Sequence, residues 1–410
     1  MTTFHEKLEK YAELAVKVGI NIQPGQTLII RAPLFAADLA RLSAKKAYQA
    51  GAKIVHVDWS DEEVTKIKFD HAPEEAFHEF PTWVTKGYEE LAEKGAAFLS
   101  ITGSDPDLLK GADPENVSNA NKASGKAMEG FRSYITSDKV SWSIVAAPSA
   151  GWAKKVFPDE EAETAIAKLW EAIFSAVRIN QADPVAAWKN HLALLDEKMN
   201  ILNDRHFKEL HYLAEGTDLI IELPETHLWV SGGSTNKDGT QFVANMPTEE
   251  VFTSAKKTGV NGTVSSTKPL NYGGTMINNF SLRFKDGKVV DFKAEEGYET
   301  LKRLLDTDEG SRFIGEVALV PHQSPISDTN IIFYNTLFDE NASNHLAIGS
   351  AYAFCIEGGK DMNKEDLEKN GLNTSMTHVD FMIGAADMNI DGIHADGRRE
   401  PVFRNGNWAI

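Results

Sequence analysis

The spacing of apolar residues changes character part-way along the chain. In the first part, FHEKLEKYAELAVKVG repeats apolar positions at helical spacing up to Gly19, and QTLIIRAP follows as a strand. AADLARLSAKKAYQAG then predicts a helix closed by Gly51, and KIVHVDW a second strand. The same order recurs in YEELAEKG with AAFLSITG, and in NKASGKAMEGFRSYIT with KVSWSIVAAP. Such alternation predicts an open, mostly parallel α/β sheet. Two helical stretches come next, EEAETAIAKLWEAIFSAVRI and PVAAWKNHLALLDEKMNIL. Between them lies NQADP, where Asp183 suits a helix cap and Pro184 the first turn. A boundary is expected there, giving an α/β domain over residues 1–183 and a second domain over 184–410.

Beyond it, TDLIIELP, HLWVSGG, GTMINNFSLRFKDGKVVDFKAE and FIGEVALVP read as strands joined by turns, with Asp286-Gly287 marking a hairpin. The second domain is therefore expected to be α+β, with much antiparallel sheet. One strand-like run, THVDFMIG, sets His378 and Asp380 two positions apart. Both side chains then project from one face, while Val379, Phe381 and Ile383 take the other. A solvated strand face gives the same pattern. The difference lies in what else the chain brings to that face.

Composition narrows the field. Of 410 residues, 42% are hydrophobic and 25% charged, ordinary for a soluble globular protein of more than one domain. A formal net charge of −18 repels phosphate backbones and anionic headgroups, so no nucleic-acid or membrane partner is expected. Apolar runs are strand-length, and the opening residues read as a charged amphipathic helix rather than a signal. Cys355 is the single cysteine, which leaves no disulfide within the chain and suits the cytoplasm. The G-x-G-x-x-G turn, the Walker loop, H-E-x-x-H and G-x-S-x-G are all missing from the sequence.

Several acidic and imidazole groups nevertheless sit in strongly apolar segments. Glu249 and Glu250 stand in NMPTEEVFTS, and Glu316 interrupts RFIGEVALVP. His345 lies in ENASNHLAIGSAYAFC, read as a helix of small apolar residues that puts Tyr352, seven positions on, over the same face. A buried carboxylate costs several kcal/mol unless it is paired or binds a cation, and these segments bring almost no positive charge. A divalent metal supplies it. Mixed carboxylate and imidazole donors without thiolate suit Zn, Mn, Co or Mg. Five donors exceed what one catalytic ion takes from protein, and suit two ions about 3.5–4 Å apart. Adjacent residues of an extended chain point apart, so only one of Glu249 and Glu250 joins such a cluster. Each group also has an ordinary reading alone: Glu316 as an edge-strand carboxylate, His345 as a hydrogen-bonded core histidine, Tyr352 as packing. His191, His206 and His211 decorate a helical stretch and its end, His322 and His394 fall in loops, and Cys355 reads as an inert buried thiol.

These segments also resemble a known family. NMPTEEVFTS, FIGEVALVP, IIFYNTLFDENASNHLAIGSAY, THVDFMIG and DGIHADGRREPVFRNGNW are similar to the signature blocks of the aminopeptidase T and aminopeptidase S type of metallo-aminopeptidase. PGQTLIIRAP and ETHLWVSGGSTNKDGTQFVANMPTEEVF agree too, so the likeness covers nearly the whole chain. It implies a cytoplasmic, homodimeric exopeptidase acting on peptides with a free N-terminus, holding two divalent ions in a catalytic domain of family-specific fold. Carried over position by position, the metal ligands fall on Glu250, Glu316, His345, His378 and Asp380, and the active-site tyrosine on Tyr352. Glu316 and Glu249 are the candidates for a proton shuttle. Two other classes stay open: a dinuclear hydrolase of another substrate, such as a phosphomonoester, and a non-catalytic metal-binding dimer.

Overall fold

The computed structural model describes residues 2–272 and 275–410; Gly274, which opens the third strand-like stretch above, lies outside them. The chain forms two compact units. One comprises the residues up to Asn190 together with Gly233–Pro247, the other His191–Gly232 with Thr248–Ile410.

The first unit is α/β. Its opening helix, Phe4–Leu14, is held at the start by a reciprocal cap between Thr3 and Glu6 and buries Leu8, Tyr11, Ala12 and Leu14. The Tyr11 hydroxyl accepts a hydrogen bond from the Ala146 amide at 2.9 Å, which ties that helix to the sheet. Four parallel strands follow one another in the order Ile54–Ser60, Thr27–Pro33, Ala97–Thr102 and Trp142–Ala146. The crossovers between them are helical, as parallel neighbours require. Ile29, Phe98, Tyr88 and Phe131 pack together on the sheet, and the last three rings lie 4.9–6.2 Å apart in pairs. Asp183 accepts from the Ala186 amide at 3.1 Å as the helix Pro184–Arg205 begins.

The second unit is dominated by antiparallel sheet. A nine-stranded sheet joins Thr217–Glu222 and Glu209–Ala214 to Asn389–Ile393, a strand far away in sequence. The long hairpin Thr275–Lys285 and Lys288–Glu296 turns at Asp286 and Gly287, with φ of +50° and +82°. Two consecutive positive φ values define the turn whose twist matches the strands. A second, five-stranded sheet runs His378–Met382, His345–Gly349, Ile314–Leu319, Val251–Thr253, Val230–Ser231, antiparallel throughout. One expectation is corrected here. His345 lies on a strand, not a helix. HLAIG is buried at every position, so it carries no polar period to separate a short buried strand from a helical turn.

Alternation along this smaller sheet sorts its side chains. Val251, Val317, Leu319, Leu346, Ile348 and Phe381 enter the hydrophobic core, with Val379 packed against it. Full burial of six such side chains contributes roughly 10–20 kcal/mol as an upper bound. That is enough to hold the sheet together while its other face carries charge. Among the described residues no helix is long and apolar enough to cross a membrane.

Candidate metal centre

The opposite face of the five-stranded sheet is where the acidic and imidazole groups gather. Cross-strand register sets Ala347 between Glu316 and Asp380, His345 beside Ala318, and His378 opposite Gly349. Small residues at 318, 347 and 349 leave room above the sheet for the longer polar ones. Gly349 has a φ of +112°, and a Cβ there would fall 2.2 Å from the Thr377 carbonyl oxygen, so the approach of the His378 strand requires glycine.

Two sets of donors converge. Glu250, Glu316 and His345 present ligand atoms all within 4.8 Å of one another, and so do Glu316, His378 and Asp380. His345 Nε2 lies 3.3 Å from Glu250 Oε2 and 3.7 Å from Glu316 Oε1. His378 Nε2 lies 3.2 Å from Glu316 Oε2 and 3.5 Å from Asp380 Oδ1. Glu316 thus belongs to both sets, one oxygen to each. His345, Glu316 and Glu250 are only 1%, 5% and 8% exposed.

Each imidazole is fixed from behind. His345 donates its Nδ1–H to the Ser343 carbonyl at 3.1 Å, and His378 donates to the Ser350 carbonyl at 2.8 Å. The Nε2 atoms are thereby aimed at the carboxylates, the arrangement that orients metal-ligating histidines.

Electrostatics here are unbalanced without a cation. Burial pushes the Glu250 carboxyl up, against the pull of His345. Burial acts on Glu316 too, but hydrogen bonds from both His345 and His378 overcome it and hold Glu316 at about 2. The two carboxylates diverge because one has two imidazole partners and the other has one. Burial would lower His378, yet Asp380 and Glu316 raise it to about 11. These imidazoles are the ion-pair partners of the three carboxylates among the described residues. The donor set fits divalent metal: hard oxygens, imidazole nitrogens of fixed tautomer, no thiolate, and excess negative charge out of water.

Tyr352 follows the His345 strand and precedes the short turn Ala353–Cys355, so it does not stand two helical turns above His345. Its ring still packs against His378, centroid to centroid at 4.7 Å. Burial, then Glu316 and Asp380, push its hydroxyl pKa well up, so it stays a hydrogen-bond donor. Glu249 and Glu250 point apart. Glu249, 4% exposed, faces His191 Nε2 at 3.5 Å, and its amide donates to Asn341 Oδ1 at 2.8 Å.

Sequence patterns passed over two neighbours of these groups. His191 is no surface decoration: its Nε2 donates to the Thr248 carbonyl at 2.8 Å, beside Glu249. Glu340 is the other. Burial first, then the charges of Asp380 and Glu250, raise its carboxyl well above the ordinary range, so it borders the same cluster. The available signal was its place in FDENASNH, five residues before His345. Of the other histidines, His211 sits on the strand Glu209–Ala214 rather than at a helix end, and His394 pairs with Glu400 at 3.1 Å. Cys355 is fully buried, and burial pushes its thiol far up, which fits an inert side chain.

Comparison with known proteins settles the family. Residues 4–408 match the family described as thermophilic metalloprotease (M29). The chain belongs to this metalloprotease family. Among its relatives, aminopeptidase AmpS of Bacillus subtilis (strain 168) is 61% identical over 410 residues, covering all of both chains. Aminopeptidase T of Thermus thermophilus is 45% identical, again over the whole of both. The solved structure of wild-type AmpT from Thermus thermophilus superimposes with a TM-score of 0.95 at 44% identity, covering 100% of each chain. The α/β unit and the antiparallel unit are therefore the fold of the M29 family, and metal dependence comes with membership.

Proposed function

We propose that this M29 member is a metal-dependent aminopeptidase whose reaction runs on the face carrying Glu250, Glu316, His345, His378 and Asp380, with two divalent ions per chain. The observation that carries the reading is the position of Glu316, Oε1 toward His345 and Oε2 toward His378. Glu250, Glu316 and His345 would hold one ion, and Glu316, His378 and Asp380 the other. Zn, Co, Mg or Mn would each accept such donors. Bound there, the ions supply the Lewis acidity that polarises a scissile carbonyl and acidifies an attacking water.

The chain's own groups do the rest. Tyr352, kept protonated, donates a hydrogen bond to the oxygen that gains charge as the carbonyl becomes tetrahedral. Carboxylates left at the rim attract the substrate's terminal ammonium, which favours peptides with a free N-terminus over blocked ones. Glu316 is held by two imidazoles and suits ligation more than proton transfer. A carboxyl oxygen of Glu249 or Glu340 takes the proton of the water and returns it to the departing amine. Residues 184–410 carry this chemistry. A buried single thiol suits a reducing cytoplasm, and the family likeness supports a homodimer.

Elemental analysis followed by chelation and add-back tests the reading, with leucine-p-nitroanilide, its N-acetyl derivative and p-nitrophenyl phosphate as substrates. Hydrolysis of the free anilide alone, restored by about two equivalents of metal, is the expected outcome. Equal rates on the acetylated anilide would remove the ammonium from recognition, and turnover of the phosphate alone would replace the peptidase reading. Glu249→Gln and Glu340→Gln separate the two shuttles. Light scattering on purified protein reports the oligomer.

A further inference from the structure

The donor face continues into a wall of aromatic rings, of which the chemistry above uses only the Tyr352 hydroxyl. Phe252 lies two residues beyond Glu250 on an extended segment, so the two side chains share the donor face. Tyr352 packs against His378. Phe354 stacks on Tyr352 with centroids 5.1 Å apart and planes at 15°, and Phe252 meets both rings edge-on at 6.1 Å. Phe252, Tyr352 and Phe354 are all half-buried, so each keeps some ring surface open. The Lys360 ammonium lies 5.9 Å from the Phe354 centroid and marks the outer end of the wall.

We propose that Phe252 and Phe354, with the ring of Tyr352, form the subsite for the side chain of the substrate's first residue, and that it selects large apolar and aromatic side chains. The inference rests on the aminopeptidase reading. In an aminopeptidase the scissile carbonyl belongs to the first residue, and the side chain leaves from the neighbouring atom. With that carbonyl at the donor cluster, the first side chain lies within a few ångströms of Glu250 and His378. The wall adjoins both: Phe252 beside Glu250, Tyr352 against His378. Ring faces and edges of this kind gain contact from a leucine or phenylalanine side chain and little from alanine. An acidic first residue would meet a face already rich in carboxylates.

The test is a panel of alanine, leucine, phenylalanine and glutamate p-nitroanilides with the metal-loaded wild type, Phe354→Ala and Phe252→Ala. Wild type should show a kcat/KM ratio of leucine to alanine above about tenfold, and each variant should lower that ratio by about tenfold or more. Phe354→Leu, which keeps an apolar side chain, should restore most of it. A wild-type preference for alanine or glutamate, or a ratio unchanged in both variants whatever the absolute rates, would overturn the subsite. Calorimetric titration with free leucine, phenylalanine and alanine reads the same ranking without turnover. Tight leucine binding lost in Phe354→Ala, alongside no hydrolysis of any peptide, would keep the subsite and remove the peptidase reading.

Discussion

The four-stranded sheet of the first unit and the five-stranded sheet of the second use charge in opposite ways. In the first, strands Thr27–Pro33 and Ala97–Thr102 are buried at most positions, and the charged residues engage singly. Arg31 lies over the Tyr88 ring, and the Tyr88 hydroxyl donates to Asp58 on the edge strand. In the second sheet, one face is given wholly to the core while the other gathers three carboxylates and two imidazoles. Several buried like charges each cost several kcal/mol if scattered, but one shared counter-charge offsets them all when they are gathered. Concentrating the charge on one face is what suits the second sheet to the proposed reaction, and the first sheet gathers no such cluster among the described residues.

The strongest challenge to this contrast is Glu316→Gln, which removes the shared carboxylate. Metal content should fall below one ion per chain, and kcat/KM on leucine-p-nitroanilide should drop by about 10³-fold or more. Normal metal content with normal rates would mean the gathered charges do nothing. Tyr352→Phe should lower kcat by about 10²–10³-fold with the metal content intact, because only a hydrogen bond to developing charge is lost.

Histidines within the second unit extend the comparison to stability. His345 and His378 are raised by the carboxylates they face. His227, 2% exposed and stacked on His206 at 4.4 Å, faces none, and burial lowers it from 6.5 to about 4. Its Nδ1–H donates to the Pro224 carbonyl. Below pH 6.5 the unfolded chain takes up a proton that the folded chain refuses. Stability from this group is therefore full above pH 6.5 and declines as pH falls toward 4, by roughly 3 kcal/mol across the window. Denaturant midpoints at pH 7 and pH 5 measure it, and His227→Phe should flatten the dependence.

Asn341 gives a smaller effect. It is fully buried, accepts from the Glu249 amide, donates to the Leu337 carbonyl at 3.1 Å and lies 3.4 Å from Glu340 Oε1. Asn341→Ala should weaken metal binding by about 10–100-fold in a chelator competition. The smallest expected effect belongs to the first sheet. His56, exposed on its edge strand, should tolerate His56→Ala within about 0.5 kcal/mol and with unchanged metal content.

Much of the fold was legible in the sequence where signals are local. Helix and strand alternate as read in the first half, Asp286-Gly287 turns its hairpin, and His378 and Asp380 share a strand face. Long-range pairing left no such trace. Nothing in Glu209–Ala214 announces Asn389–Ile393 as its neighbour, because each strand's alternation is satisfied by any partner of like pattern. His345 was misread as helical because a fully buried run has no polar side to count. Glu340 and His191 escaped because an acid in a polar loop and a histidine on a helix look ordinary until burial is known. The contributions of Asn341 and Ser343 were equally hidden, since Asn341 reaches the amide of Glu249, distant in sequence, and Ser343 acts through its main-chain carbonyl, which no side-chain pattern reports.

The division of Glu316 between two imidazoles has a consequence for assembly of the holoenzyme. On the proposed two-ion reading, a first cation held by Glu316 with Glu250 and His345 would fix the carboxylate plane and leave the other oxygen oriented toward His378 and Asp380. Loading would then be cooperative, and mild chelation should strip both ions together rather than leave a stable half-filled protein.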